Sequence, residues 1–329
     1  MDVTDDREGP AIRAGVDHQS AALLQVMEQM NVPPMHTLTP VQAREMARGL
    51  AALPSAVEEV AHVENLSIPG PAQPVPIRVY TPSGDGPFPV LVFFHGGGWV
   101  ICDLDTHDAL CRSLANAASC VVVSVDYRLA PEHKYPAALE DAYAAVEWVA
   151  GNAGRISGDP ARIAVAGDSA GGTLSAAVSL MARDRSGPRL AFQLLIYPAT
   201  DLSSFETGSH RDFADGYMLT SADVVYFRDH FLRSEEDRRD PLVSPLLAPD
   251  LSGLPPALAI TGEFDPLRDE GEAYANRLKE AGVRARYTRY AGMIHGFVSL
   301  EGMVDRARDA IDEAAAALRE AFEPSPEGR

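Results

Sequence analysis

Residues 163–183 read IAVAGDSAGGTLSAAVSLMAR. IAVAG is a short apolar run ending on glycine, as expected of a strand buried on both faces. GTLSAAVSLMAR is rich in alanine and leucine at helical spacing. Between them Gly167-Asp168-Ser169-Ala170-Gly171 matches G-x-S-x-G, a serine on a sharp strand-to-helix turn. At this composition the pattern arises by chance in roughly one chain in ten, so the flanking strand and helix carry the inference. Gly167 and Gly171 leave room for the turn and for the helix to approach the strand. Ser169 would then project its hydroxyl above the carboxyl edge of a sheet. Ala170 heads the helix, so its amide lacks an intrahelical partner. The bland alternative is a tight turn capped by serine.

Outward from this element, seven more strand patterns appear. VEEVAHVENLSI (57–68) and VPIRVYT (75–81) alternate as half-buried strands do. PVLVFFHG, CVVVSVDY, LAFQLLIYP, PALAITGE and RARYTRYAG follow, separated by helical patterns of which 137–150, 270–280 and 304–320 are the clearest. This alternation predicts an α/β fold: a mostly parallel eight-stranded sheet with helices on both faces, its first two strands antiparallel at one edge. The N-terminal residues 1–15 carry no pattern and read as frayed. Two helices precede the strands, one over 19–30 and one capped by Thr39 with Pro40 and Gln42 behind it. Residues 201–250 interrupt the rhythm with a polar loop, a helix over 221–233 and a proline-punctuated segment. An insertion that long is uncommon unless it serves a function.

His95-Gly96-Gly97-Gly98-Trp99 follows the apolar run PVLVFF. Such a tetrad occurs by chance in roughly one chain of a few hundred. Without side chains the glycines let backbone N–H groups reach a developing oxyanion. His95 reads as structural, hydrogen-bonding to hold the loop, and Trp99 as a wall of the site.

A serine hydroxyl needs a base. His295 follows the last strand pattern, on the same carboxyl edge as Ser169. Glu263-Phe264-Asp265-Pro266 ends the preceding strand and offers an orienting carboxylate. Asp265 also fits an N-cap before Pro266, and Glu263 is the rival acid. The order Ser169, Asp265, His295 is that of the α/β-hydrolase nucleophile elbow.

The chain has 329 residues, 46% hydrophobic and 23% charged, which excludes disorder, collagen and coiled coil as overall descriptions. The net charge of −19 argues against nucleic-acid and anionic-membrane surfaces. Cys102, Cys111 and Cys120 form neither a disulfide framework nor a zinc pattern and read as reduced thiols. The acidic start lacks the regions of a signal peptide, and no apolar run approaches the roughly 18 residues of a membrane span. A cytoplasmic location is expected.

HGGGW, GDSAGG, DPLRDEG (265–271), HGF (295–297) and YRLAPEHKYPAALED (127–141) together resemble the hormone-sensitive-lipase-like family of α/β-hydrolases, in its bacterial carboxylesterase branch. The resemblance spans about residues 60–320. It implies a serine carboxylesterase acting on short- to medium-chain esters, with no cofactor and no metal. It places the nucleophile at Ser169, the acid at Asp265 and the base at His295. It implies an oxyanion hole from the amides of Gly97, Gly98 and Ala170, with Gly96 a further member. It also implies a helical cap, from 1–55 and the 201–250 insertion, over a core of 56–200 and 251–322, with a tail at 323–329. Trp99, Phe213, Met218 and Phe297 are the expected substrate-binding residues. Tyr217, Phe227, Met27 and Met30 are further candidates for the pocket, each open to simple cap packing. Asp168 is expected to make structural hydrogen bonds. The expected partner is a small-molecule ester, with no nucleic acid and no stable membrane insertion; a homodimer is open to it.

Overall fold

The computed structural model describes residues 14–52 and 57–323. Two helices come first, α1 (His18–Gln29) and α2 (Pro40–Ala51), followed by strands β1 (His62–Ile68), β2 (Val75–Thr81) and β3 (Phe88–Phe94). Helix and strand then alternate through α3 (Asp108–Ala118), β4 (Val121–Val125), α4 (Ala137–Asn152), β5 (Gly158–Asp168), α5 (Ala170–Asp184) and β6 (Phe192–Ile196). The insertion after β6 holds α6 (Gly208–Asp212) and α7 (Ser221–Phe231). The chain closes with β7 (Ala257–Phe264), α8 (Arg268–Glu280), β8 (Ala285–Ile294) and α9 (Asp305–Phe322).

The strands form one eight-stranded sheet in the order β1-β2-β4-β3-β5-β6-β7-β8. β2 runs antiparallel to β1 and to β4, and every other pairing is parallel. β3 illustrates why its sequence is apolar throughout. Val90, Val92 and Phe94 pack with α4 and α5 on one face, while Leu91 and Phe93 pack with α3 and α9 on the other. A parallel strand covered by helices on both sides has no solvent face to make polar.

β1 begins at His62, so the strand pattern read over 57–68 is too long by five positions at its start. β2 supplies its partners only as far as Thr81, which faces His62. The preceding residues serve the helices instead: the Glu58 carbonyl accepts from Arg112, and the Glu59 carbonyl accepts from Asn116. The expected boundary between cap and core at 55/56 and most of the frayed N-terminus fall outside the described residues. So does the tail beyond Glu323.

α1 lies beside β8. Val16 and Leu24 pack on Phe264 and Ile294, and Asp17 donates its amide to the Gly292 carbonyl at 2.9 Å. α2 opens with the expected capping box, Thr39 and Gln42 bonding reciprocally. Its Arg44 donates to the carbonyls of Val100 and Ala130 and forks onto Glu132 at 2.8 and 2.6 Å. Within the insertion, Ser209 donates its amide to Asp269, and His210 sits 3.1 Å from Glu270, both on α8. His36, ahead of α2, donates its amide to Asp223 on α7 at 2.8 Å. Among the described residues no helix is long and apolar enough to cross a membrane.

Candidate active site

β5 ends at Asp168, and Ser169 takes the turn with φ 53° and ψ −118°, left-handed backbone that a non-glycine residue adopts only under constraint. The constraint is local. Ser169 donates its amide to the Ile196 carbonyl at 2.8 Å. A Cβ at Gly171 would overlap the Phe94 carbonyl, and one at Gly167 would overlap Gly171. Helix and strand can therefore approach closely only with glycine at both positions, as the sequence predicts.

Three carboxyl ends bring the reactive side chains together. Nε2 of His295, just past β8, lies 3.0 Å from Ser169 Oγ. Its Nδ1 lies 2.8 Å from Oδ2 of Asp265, just past β7. An ionised Asp265 can only accept, so the ring proton sits on Nδ1 and the Nε2 lone pair faces the serine hydroxyl. Asp265 is fully buried, and its Oδ1 accepts the Leu267 amide at 2.8 Å. One carboxylate thus both holds the turn that leads into α8 and orients the imidazole. Glu263, the rival acid, is spent elsewhere: its Oε2 accepts the Gly292 amide at 2.8 Å.

The glycine loop leaves β3 beside this group. Gly96 is not an available donor, because its amide is given to Oδ1 of Asp168 at 2.8 Å. This corrects the inclusion of Gly96 in the oxyanion hole: the acceptor beside the nucleophile takes its N–H. Gly97 and Gly98 have φ of 102° and 59°, and their amides, like that of Ala170, have no acceptor among the described residues. Asp168 also lies 3.1 Å from Nε2 of His107. Burial pushes the Asp168 carboxyl up, but the charge of His107 and the hydrogen bonds from His107 and Gly96 outweigh it and hold the group below its usual range.

His95 is structural, as expected. It is fully buried, its Nδ1 lies 2.7 Å from the Gly96 carbonyl, and its ring stacks on Tyr127 with centroids 4.3 Å apart. Burial, aided by the neighbouring His107, pushes its pKa down to about 4. The 127–141 signature is built around this loop. Tyr127 donates its hydroxyl to the His95 carbonyl at 2.7 Å, Ala130 donates to the Trp99 carbonyl at 2.8 Å, and Arg128 forks onto buried Asp141.

A cavity of about 450 Å³ opens over Ser169. Trp99, Met218 and Phe227 line it, as the sequence suggests, together with Leu202, Leu219 and Val224. Phe213, Tyr217 and Phe297 do not. Phe213 packs on Tyr217 and Phe264 beside α1, and Phe297 is fully buried against Tyr197 and Tyr290. Met27 and Met30 are likewise absent from the wall, and Met30 is 71% exposed. The N-terminal contribution comes instead from Met35, Ala47 and Leu50. His107 and Tyr197 escaped the sequence reading. The Tyr197 ring lies 4.7 Å from that of His295. The signal for it was the aromatic residue ending the LAFQLLIYP run on the same carboxyl edge.

A family profile described as alpha/beta hydrolase fold matches residues 91–299. The chain belongs to the α/β-hydrolase family. Its resemblance to the hormone-sensitive-lipase-like branch agrees with the relatives found. Carboxylic ester hydrolase LipN of Mycobacterium tuberculosis is 49% identical over 263 residues, 78% of this chain and 70% of that protein. The arylesterase of Saccharolobus solfataricus is 38% identical over 284 residues, 86% of this chain and 92% of that protein. The solved ester hydrolase from the metagenome of Lake Arreo is similar to this α/β-hydrolase with a TM-score of 0.90 at 43% identity, over 93% of this chain and 99% of that one.

Proposed function

We propose that this α/β-hydrolase is a serine carboxylesterase that cleaves short- to medium-chain carboxylic esters through an acyl-enzyme intermediate. The observation that carries the reading is the continuous hydrogen-bonded line Ser169–His295–Asp265 at the floor of a largely apolar cavity. Its relatives are named as ester hydrolases. His295 takes the Ser169 proton on Nε2 as Oγ attacks the ester carbonyl carbon. Asp265 holds the tautomer and stabilises the imidazolium. The carbonyl oxygen, now an alkoxide, is received by the amides of Gly97, Gly98 and Ala170. In comparable sites one such donor is worth about 2.7–4 kcal/mol. His295 returns the proton to the departing alcohol, and water then cleaves the acyl-enzyme by the same steps.

The N-terminal helices and the 201–250 insertion act together as a cap over this site. Contacts of Arg44 with the glycine loop region and of His36 with Asp223 support that division. The cysteines are free thiols, as a cytoplasmic location would leave them. A receptor that binds a small ligand without turnover would need the base removed or turned away, and His295 is in bonding reach of Ser169.

The Lake Arreo hydrolase is described in complex with a bipyridine phosphonate derivative. A serine-directed phosphonate is the direct test here. Mass spectrometry should find Ser169 alone labelled, with p-nitrophenyl ester hydrolysis lost in step. Label on another residue, or full activity after labelling of Ser169, would overturn the reading.

A further inference from the structure

Helix α7 of the insertion lies directly on the glycine loop. A Cβ placed on Gly98 would overlap Cγ and Cδ1 of Phe227, so the near edge of that ring sits against the backbone at Gly98. One turn further along the same helix, Phe231 stacks on Trp99 with ring centroids 4.2 Å apart and planes 10° from parallel. Phe227 is 8% exposed and Phe231 3%. The loop they cover is left-handed at successive positions, with φ of 102° at Gly97, 59° at Gly98 and 61° at Trp99. For tryptophan that conformation persists only where the surroundings over-determine it.

The helix itself is anchored at both ends. Thr220 and Asp223 form a capping box at its start, where His36 also donates to Asp223. At its end Lys134 donates to the Leu232 carbonyl at 2.7 Å, and Tyr135 donates its amide to the Phe231 carbonyl at 2.8 Å. A fixed helix can therefore act as a template for a loop that three glycines leave with little conformational bias of its own.

We propose that Phe227 and Phe231 are positioning residues. Through them α7 holds residues 97–99 in the conformation that aims the Gly97 and Gly98 amides at the oxyanion. The insertion then governs the rate of every ester as well as which esters fit. The inference rests on the serine-esterase reading. An oxyanion forms with every ester, whereas a pocket wall feels only the group that reaches it. Loss of positioning lowers kcat uniformly, and loss of a wall lowers activity according to chain length.

The test compares Phe227→Ala and Phe227→Leu with wild type on p-nitrophenyl acetate, butyrate and hexanoate. It also measures inhibition by a trifluoromethyl ketone, which adds to the serine as a tetrahedral oxyanion. In the Ala variant kcat should fall on the order of 10²-fold, equally for the three esters. KM should stay within about threefold. Affinity for the ketone should fall by the same factor as kcat/KM, and Leu should restore most of the loss. Should Phe227→Ala fail to fold, Phe231→Leu and Phe227→Leu carry the same comparison with smaller uniform losses. Phe227 also lines the cavity, so a loss that tracks chain length, appears only in KM, or leaves ketone affinity intact would leave it a substrate wall alone and overturn the proposal. A wild type that neither hydrolyses these esters nor binds the ketone would instead bring down the esterase reading itself.

Discussion

Asp168 Oδ1 accepts the Gly96 amide at 2.8 Å and lies 3.1 Å from Nε2 of His107. The residue preceding the nucleophile is thereby bonded to the residue preceding the proposed oxyanion donors. Two loops from different strands are locked to one another by a single buried carboxylate. Gly96 gives up its own N–H for this, and Gly97 and Gly98 gain a fixed starting point.

Asp168→Asn should lower kcat by about tenfold or more through the displaced loop, with KM little changed. It should also lower stability in a pH-dependent way. The folded carboxyl titrates below its usual range, so its contribution is present above the unfolded pKa of about 3.9 and is lost as pH falls through the lower folded value. Melting temperatures of variant and wild type should differ most at pH 7, and the gap should narrow as the pH is lowered past the unfolded value of about 3.9. A gap that stays constant across that range would show that the charge is not what matters.

Ser169→Ala and His295→Ala should each remove nearly all ester hydrolysis, by up to ~10⁶ in kcat, while leaving the melting temperature close to wild type. Asp265→Asn should cost roughly 10⁴-fold, because the imidazole loses the partner that holds its tautomer. Glu263→Gln should retain most activity, its carboxylate serving the Gly292 amide. If Glu263→Gln proved more damaging than Asp265→Asn, the assignment of the acid would fall.

His95 takes no part in the proton transfer from Ser169, so its substitution should leave the pH profile of kcat/KM unmoved. His95 instead affects stability. Its folded pKa of about 4 lies below the ordinary value of about 6.5, so on acidification the unfolded chain takes up a proton first. Stability from this residue is lost as pH falls from about 6.5 to about 4 and changes no further below that. In His95→Asn the slope of unfolding free energy against pH should flatten in that window, with the midpoint of the activity profile unmoved. A shifted activity midpoint would make His95 part of the proton transfer.

Ala47 lines the cavity from α2 and is nearly buried. Ala47→Phe should fill part of that space and reduce kcat/KM for hexanoate esters at least about tenfold more than for acetate, since each excluded methylene is worth about 1–3 kcal/mol. Equal effects on both esters would place Ala47 away from the bound chain.

Strand and helix identity, the elbow and the order of the three reactive residues were legible along the chain because each depends on near neighbours. A strand buried on both faces must be apolar throughout, as β3 is. A helix that starts on Thr39-Pro40 carries its own cap. A serine turn packed against a strand must have glycine where a Cβ would collide, as at 167 and 171. These demands are local, and local sequence answers them.

The choice between Glu263 and Asp265 was different in kind. Both lie at the end of β7, and only the path of β8 decides that Gly292 meets the first while His295 meets the second. The aromatic residues divide in the same way. Phe213, Phe227 and Phe297 are alike in composition, yet one covers α1 and Phe264, one faces the cavity, and one fills the core under Tyr197. An apolar ring has no directional preference written into it, so its partner is set by which surfaces the fold brings near. Gly96 follows the same logic: its amide can serve an oxyanion or a carboxylate, and the buried Asp168, arriving from another strand, took it.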